Sequence, residues 1–397
     1  MNPDASIEGR FAHAVELRHQ LHRIPELAFA EVQTAAMVRG ELDQLGISHI
    51  DGVSGAPTAT ICVIGDSSKP CIALRADIDA LPIQEQTRLE YASTHPGKMH
   101  ACGHDGHMAT LLGAAAVLCE IKDQLPVCAK LIFQPAEEEG GGAERLVRAG
   151  VIDGRIGPTV RAIFGLHGWP GMPVGCVATK SGTLLAATDI FKATIIGKGC
   201  HGAFPHLGVD PIVTACEAVL NLQQIVSRDL DPTEPAVVTV GVIRGGTATN
   251  IIPDQTMIEG TARTLNEPSR ERVKAAVYRR IEGVAAAAGC TAKIEWLQGY
   301  PATVNDPEMA DYVAKIARQV LGPDRYFPVG RASMGGEDFA YYLQKTPGCF
   351  FLLGIEPPGA KGYPPLHSDR YDFTDAAIGV GMRMFVGLVR NFEIQPS

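Results

Sequence analysis

Long apolar runs are missing from these 397 residues. No stretch reaches the roughly 20 residues that a membrane-spanning helix needs, so no membrane partner is expected. An excess of basic charge is missing too. Lysine and arginine total 35 against 44 aspartates and glutamates, a formal net charge of −9, which argues against a nucleic-acid-binding face. Paired cysteine spacings are absent: the 10 cysteines are scattered, with no CxxC. The opening Met1–Arg10 carries Asp4, Glu8 and Arg10 and does not read as a secretory signal. Reduced thiols and a cytoplasmic location are therefore expected. There is no GxxxxGK[ST], HExxH or GxSxG, so a P-loop, a zincin helix and a nucleophile elbow are excluded.

What is present is an ordinary globular composition, 46% apolar and 20% charged, long enough for two to three domains. Phe11, Ala14, Leu17, Leu21 and Ile24 keep a helical spacing, repeated by Thr34, Val38, Leu42 and Leu45. Strands are expected over Thr58–Ile64, Cys71–Arg75, Lys130–Gln134 and Ala162–His167, with a helix over His107–Ile121. That alternation reads as α/β with a mostly parallel sheet. From Thr188 the rhythm changes. Strand Ile190–Gly197, helix Pro211–Ser227, strands Ala236–Ile243 and Thr256–Thr264, helix Pro268–Ala288 and strand Thr291–Leu297 follow in turn. The order β-α-β-β-α-β is that of a ferredoxin-like module. The expected organisation is a discontinuous α/β domain, 1–187 and 299–397, with an inserted α+β domain, 188–298.

Polar clusters lie where ligands gather in α/β proteins, at the carboxyl ends of strands. They are RADIDALP (75–82), MHACGHDGHM (99–108), FQPAEEEGGGA (133–143), GLHGWP (165–170) and LHSDRYDF (366–373). Each has a plain explanation by itself: a hydrogen-bonded histidine, turn chemistry, or acids at a helix start. Together they supply thiolate, imidazole and carboxylate, the ligand set of Zn²⁺, Mn²⁺, Co²⁺ or Ni²⁺.

With GKGCHGAFPHLGVDP (197–211), TNIIPD (249–254), GTAR (260–263) and GGEDFAYY (335–342), these segments run in the order of a known family. The sequence resembles the M20 metallopeptidases, and within them the amidohydrolases that cleave N-acyl-amino acids, such as hippurate hydrolases and auxin-conjugate hydrolases. The resemblance implies two divalent metal ions per subunit. Cys102, His104, Glu138, His167 and His367 match the ligands, with Cys102 as the bridge, Glu137 as the general base, and Asp79 as an acid that orients a ligand. Asp77 stands where the wider family commonly has a histidine ligand. His100, Asp105 and His107 crowd the same segment, and Glu139 extends the acidic pair, so His100 as a ligand and a one-residue shift of roles stay open. The resemblance further implies that His201 steadies the oxyanion from the partner subunit of a homodimer, and that Asn250 and Arg263 hold the substrate carboxylate.

The implied reaction is metal-dependent hydrolysis of a small N-acyl-amino acid to a carboxylic acid and an amino acid. A dipeptidase or an N-acetyl-diaminopimelate-type deacetylase is the alternative within the family. A catalytically inactive, ligand-binding member is the alternative outside enzymes; against it, all five ligand positions and Glu137 are filled. Gly197–Gly202 fits G-x-G-x-x-G, but Ala203-Phe204-Pro205-His206 opens no helix, which disfavours a dinucleotide site.

Overall fold

The computed structural model describes residues 3–360 and 362–393. Contacts divide the chain into two units. One comprises Met1–Leu184, Val304–Gly330 and Asp338–Ser397, the other Leu185–Thr303 with Arg331–Glu337. The short return Arg331–Glu337 joins the second unit because the Ala186 amide donates to the Gly335 carbonyl at 2.9 Å.

The first unit is built on an eight-stranded mixed sheet. Its spatial order is His49–Val53, Ala56–Ile64, Cys128–Gln134, Cys71–Asp77, Val160–Pro173, Gly348–Glu356, Val177–Thr179 and Tyr326–Pro328. The four central strands, Cys128–Gln134 to Gly348–Glu356, run parallel. Cys71–Asp77 and Cys128–Gln134 are buried at every position, as parallel strands covered on both faces must be. Helices Pro3–His22, His104–Glu120 and Ala376–Arg390 pack together over this sheet. His104–Glu120 is buried from His104 to Leu118, which explains its apolar character all round. Leu111, Leu112, Val117, Phe164, Phe351 and Phe385 belong to the resulting core.

Three local expectations change. The helix expected from His107 begins at His104, after Gly103 at φ 88°. A side chain could not stand at Gly103: a Cβ would lie 2.6 Å from the Tyr371 hydroxyl. The strand expected to stop at His167 continues to Pro173. Its pairing with Cys71–Asp77 nevertheless stops at Arg75–Gly165, so His167 stands just past the shared rungs, at the carboxyl edge. The helix from Pro211 ends at Leu222, and a wider turn, Ile225–Asp229, follows.

The second unit contains a four-stranded antiparallel sheet in the order Ala236–Gly245, Gln255–Thr264, Ala187–Ile196, Thr291–Gln298. Helices Pro211–Leu222 and Glu267–Ala287 cover one face, burying Phe191, Ile195, Ile258, Val273, Val277 and Ile281. Asp210 caps the first helix by accepting the Ile212 amide at 2.8 Å, and Asn266 caps the second by accepting the Ser269 amide at 2.8 Å.

Candidate metal centre

Three parallel strands of the first unit deliver most of the cluster. Asp77 ends Cys71–Asp77 and Asp79 follows two residues on. Glu137 and Glu138 lie just beyond Cys128–Gln134, and His167 lies on Val160–Pro173. Cys102 and His104 come from the turn into helix His104–Glu120. His367 arrives from a loop in which its amide donates to the Ala101 carbonyl at 2.8 Å. Its φ of 64° is left-handed, a conformation that costs a non-glycine residue about 1–2 kcal/mol.

These side chains converge. Cys102 Sγ lies 3.3 Å from His167 Nε2. Glu138 Oε1 lies 3.3 Å from His367 Nε2 and 4.0 Å from His104 Nε2. Ligand atoms of Cys102, His104 and His167 lie within 4.8 Å of one another, as do those of Cys102, Glu138 and His367, and those of His104, Glu137 and Glu138. His100 and Glu139 enter none of the candidate groups among the described residues.

Backbone carbonyls set the histidine tautomers. His104 Nδ1 donates to the Asp79 carbonyl at 2.8 Å, and His167 Nδ1 donates to the Gly168 carbonyl at 2.8 Å. Each ring thereby turns its Nε2 into the cluster. Asp79 also uses its carboxylate, with Oδ1 3.2 Å from His104 Nδ1 and Oδ2 accepting the Glu138 amide at 2.9 Å. It thus touches one histidine ring of the cluster and the backbone of Glu138.

The electrostatics favour added positive charge. Burial, followed by the negative charges of Glu138, Glu137 and Asp77, pushes the Cys102 thiol well up. Burial opposes protonation of His104, but Asp77, Asp79 and Glu138 outweigh it and raise the ring to about 10. Burial and the neighbouring His107 take His167 down to about 3. Buried Glu138 Oε1 and His104 Nε2 have no hydrogen-bond partner, although such atoms are costly to leave unsatisfied. A thiol held protonated by burial and carboxylates and an imidazole held protonated by carboxylates, at sites that ligate cations once the proton leaves, fit divalent cations that would take the place of those protons.

Several neighbours were not legible as partners. His107 donates from Nδ1 to Asp77 Oδ1 at 2.6 Å and accepts the Gly168 amide at Nε2 at 2.9 Å, so both ring nitrogens are engaged. Asp77 also takes Arg75 Nη1 at 2.6 Å, and Arg75 continues to Asp338 at 3.0 Å, all of it buried. Asp105 is held by Arg18 at 2.7 Å and His22 at 2.8 Å.

The remaining sequence candidates lie in the second unit. His201 pairs with Ile251 in a two-stranded ladder, so Asn250 is beside it, and the Gly202 amide donates to the Asn250 carbonyl at 2.7 Å. His201 Nδ1 accepts the Ala203 amide at 3.1 Å, which leaves the proton on Nε2, and the residue is exposed. Arg263 is half-buried on Gln255–Thr264. Burial lowers its pKa against the opposing charge of Asp189, yet Asp189 is bonded at 2.8 and 2.7 Å by Arg270. Among the described residues the Arg263 guanidinium has no hydrogen-bond or ion-pair partner.

A cluster of thiol, imidazole and carboxylate at the carboxyl edge of a parallel sheet, buried except at part-buried Glu138 and exposed His367, defines the class: an α/β protein with a candidate metal centre. The chain belongs to peptidase family M20/M25/M40, whose profile matches residues 73–391, and its relatives place it among the amidohydrolases of that family. It is 43% identical over 346 residues to the N-acetyl-L-cysteine deacetylase of Bacillus subtilis (strain 168), covering 86% of this chain and 80% of that one. It is 38% identical over 400 residues to the IAA-amino acid hydrolase ILR1-like 5 of Arabidopsis thaliana, covering 99% and 89%. The crystal structure of the Bacillus subtilis YXEP protein, described as a dinuclear metal binding peptidase from the M20 family, superposes with a TM-score of 0.82 at 37% identity, covering 96% of this chain and 98% of that one.

Proposed function

We propose that this chain hydrolyses the amide bond of N-acyl-amino acids, releasing a carboxylic acid and a free amino acid, with two divalent metal ions held by Cys102, His104, Glu138, His167 and His367. The observation that carries the reading is the convergence of those five side chains, drawn from separate elements, into overlapping groups whose ligand atoms lie within 4.8 Å of one another. The similarity to a deacetylase and to an IAA-amino acid hydrolase supports the substrate class. The dinuclear metal binding of the YXEP protein supports two ions rather than one. Zinc, manganese, cobalt and nickel all suit this ligand set.

When bound, the ions polarise the scissile carbonyl and lower the pKa of the attacking water. The protein's own part is proton handling and orientation. Glu137 is buried beside Glu138, takes the proton from water as it attacks, and returns it to the departing amine. Asp79 fixes the His104 tautomer and the Glu138 backbone. Cys102 would help hold the ions as a thiolate.

The second unit is proposed to be a ferredoxin-like lid and dimerisation domain of a cytoplasmic homodimer. Its strand order and two covering helices support the ferredoxin-like part of this reading. His201, with its proton on Nε2, has the tautomer that an oxyanion donor needs. Arg263, which has no carboxylate partner of its own among the described residues, and Asn250 are assigned to the substrate carboxylate. Incubation with N-acetyl-, N-benzoyl- and indole-acetyl-amino acids in Mn²⁺, Zn²⁺ or Co²⁺ tests the reading by release of free amino acid. Hydrolysis of at least one class is expected, and no release from any of them contradicts it.

A further inference from the structure

The segment that carries Glu137 and Glu138 is gripped by a loop far upstream in the chain. That loop joins helices Pro3–His22 and Val32–Gln44. Its last residue, Glu31, is fully buried. Glu31 immediately precedes helix Val32–Gln44, and its side chain makes no capping bond to that helix. Instead its Oε1 accepts the amide of Ala136, 105 residues away, at 3.0 Å. Its Oε2 accepts the Thr58 hydroxyl at 2.6 Å, which fixes the carboxylate plane.

Ala136 is the residue immediately before Glu137, and its φ is 57°. An alanine held in the left-handed region costs about 1–2 kcal/mol and persists only where neighbours over-determine it. Two further contacts of the same loop reach the turns around the cluster. The Phe29 ring covers Gly140, where a Cβ would lie 2.6 Å from it, and Arg145 stacks over the same ring at 4.0 Å. The Glu26 carbonyl accepts the Ala80 amide at 2.8 Å, directly after Asp79. One loop therefore touches both turns that bring carboxylates to the cluster.

We propose that Glu31 is a positioning residue for Glu137: by holding the Ala136 amide it fixes the left-handed turn, and so the direction in which the Glu137 side chain leaves the backbone. The inference rests on the reading of Glu137 as general base. Burial raises the Glu31 carboxyl to about 7 against the opposing Thr58 hydrogen bond, and the oxygen facing Ala136 accepts in either protonation state. A glutamine keeps that oxygen, whereas an alanine removes it.

The test compares Glu31→Ala and Glu31→Gln in the metal-loaded full chain, reading kcat per metal-loaded site, KM and metal stoichiometry. A misplacement of about 1 Å at a reacting group costs on the order of 10²-fold. Glu31→Ala is therefore expected to lower kcat about 10- to 100-fold, with KM and metal content nearly unchanged, and Glu31→Gln to recover most of the loss. Unchanged kcat per loaded site would overturn the proposal, because a merely structural residue alters the amount of folded enzyme and not its turnover. Loss of metal, or an equal loss in Glu31→Gln, would overturn it as well. If Glu31→Ala does not fold, Glu31→Asp, whose carboxylate falls one methylene short of Ala136, is read by the same criteria. Glu137→Gln measured alongside separates the two readings: full activity there removes the base assignment, whatever Glu31 shows.

Discussion

Cys102 Sγ and His167 Nε2 lie 3.3 Å apart, although 65 residues separate them in the chain. His167 spends its Nδ1 proton on the Gly168 carbonyl, so its lone pair and the Cys102 sulfur face the same point. Replacing this thiol with an alcohol tests what the point is for. Cys102→Ser removes the one group that becomes anionic readily beside a cation. The purified variant is expected to retain less metal by elemental analysis and to lose activity with it. Retention of both ions and full activity would show that the bridge has been misassigned.

Glu137→Gln preserves shape and removes the proton acceptor. Metal content is expected to stay normal while turnover falls by roughly 10²–10⁴-fold. Metal loss instead would exchange the roles of Glu137 and Glu138.

The buried Arg18–Asp105–His22 group gives stability a pH signature. Burial opposes a charge on His22, but the Asp105 carboxylate and its hydrogen bond prevail and raise the ring to about 9. An unfolded histidine titrates near about 6.5. The folded state therefore holds the proton more tightly, and the stabilisation is fully present below about pH 6.5 and lost as pH rises through about 9. The midpoint of thermal unfolding is expected to fall across that window, and to fall less in His22→Asn. Equal slopes in the two proteins would show that His22 does not carry the effect.

Arg263→Ala addresses substrate anchoring. An N-acyl-amino acid has one fixed charge, its α-carboxylate. Removing the cation that meets it costs about 2–5 kcal/mol, or tens- to thousands-fold in kcat/KM. Substrates with an amidated carboxyl are expected to lose much less. Equal losses on both would assign Arg263 to the fold or the dimer.

The sequence showed the parallel strands because Cys71–Arg75 and Lys130–Gln134 are short apolar runs, and parallel strands are buried on both faces. It did not show strand His49–Val53, an edge strand largely open to solvent and containing Gly52 at positive φ, so no alternation marks it. The five metal-ligand candidates were legible through motifs, and the structure draws their side chains together. What supports them was not legible. His107 looked like one more histidine in a crowded segment, and only its contacts to Asp77 and Gly168 show that both nitrogens are occupied. Glu31 stood in none of the motifs, and only its contacts to Ala136 and Thr58 reveal it. Such roles depend on which distant backbone amide a side chain meets, and neither spacing nor composition records that.

Metal removal and stepwise return test the central claim most directly. The chain is stripped with a chelator, dialysed and titrated with Mn²⁺ or Zn²⁺, and hydrolysis of an N-acyl-amino acid is followed at each step. Activity is expected to vanish on stripping, to return with the added ion, and to saturate near two ions per chain, with no recovery in Cys102→Ser. Full hydrolysis by the stripped chain, or saturation of binding without any return of hydrolysis, would contradict it.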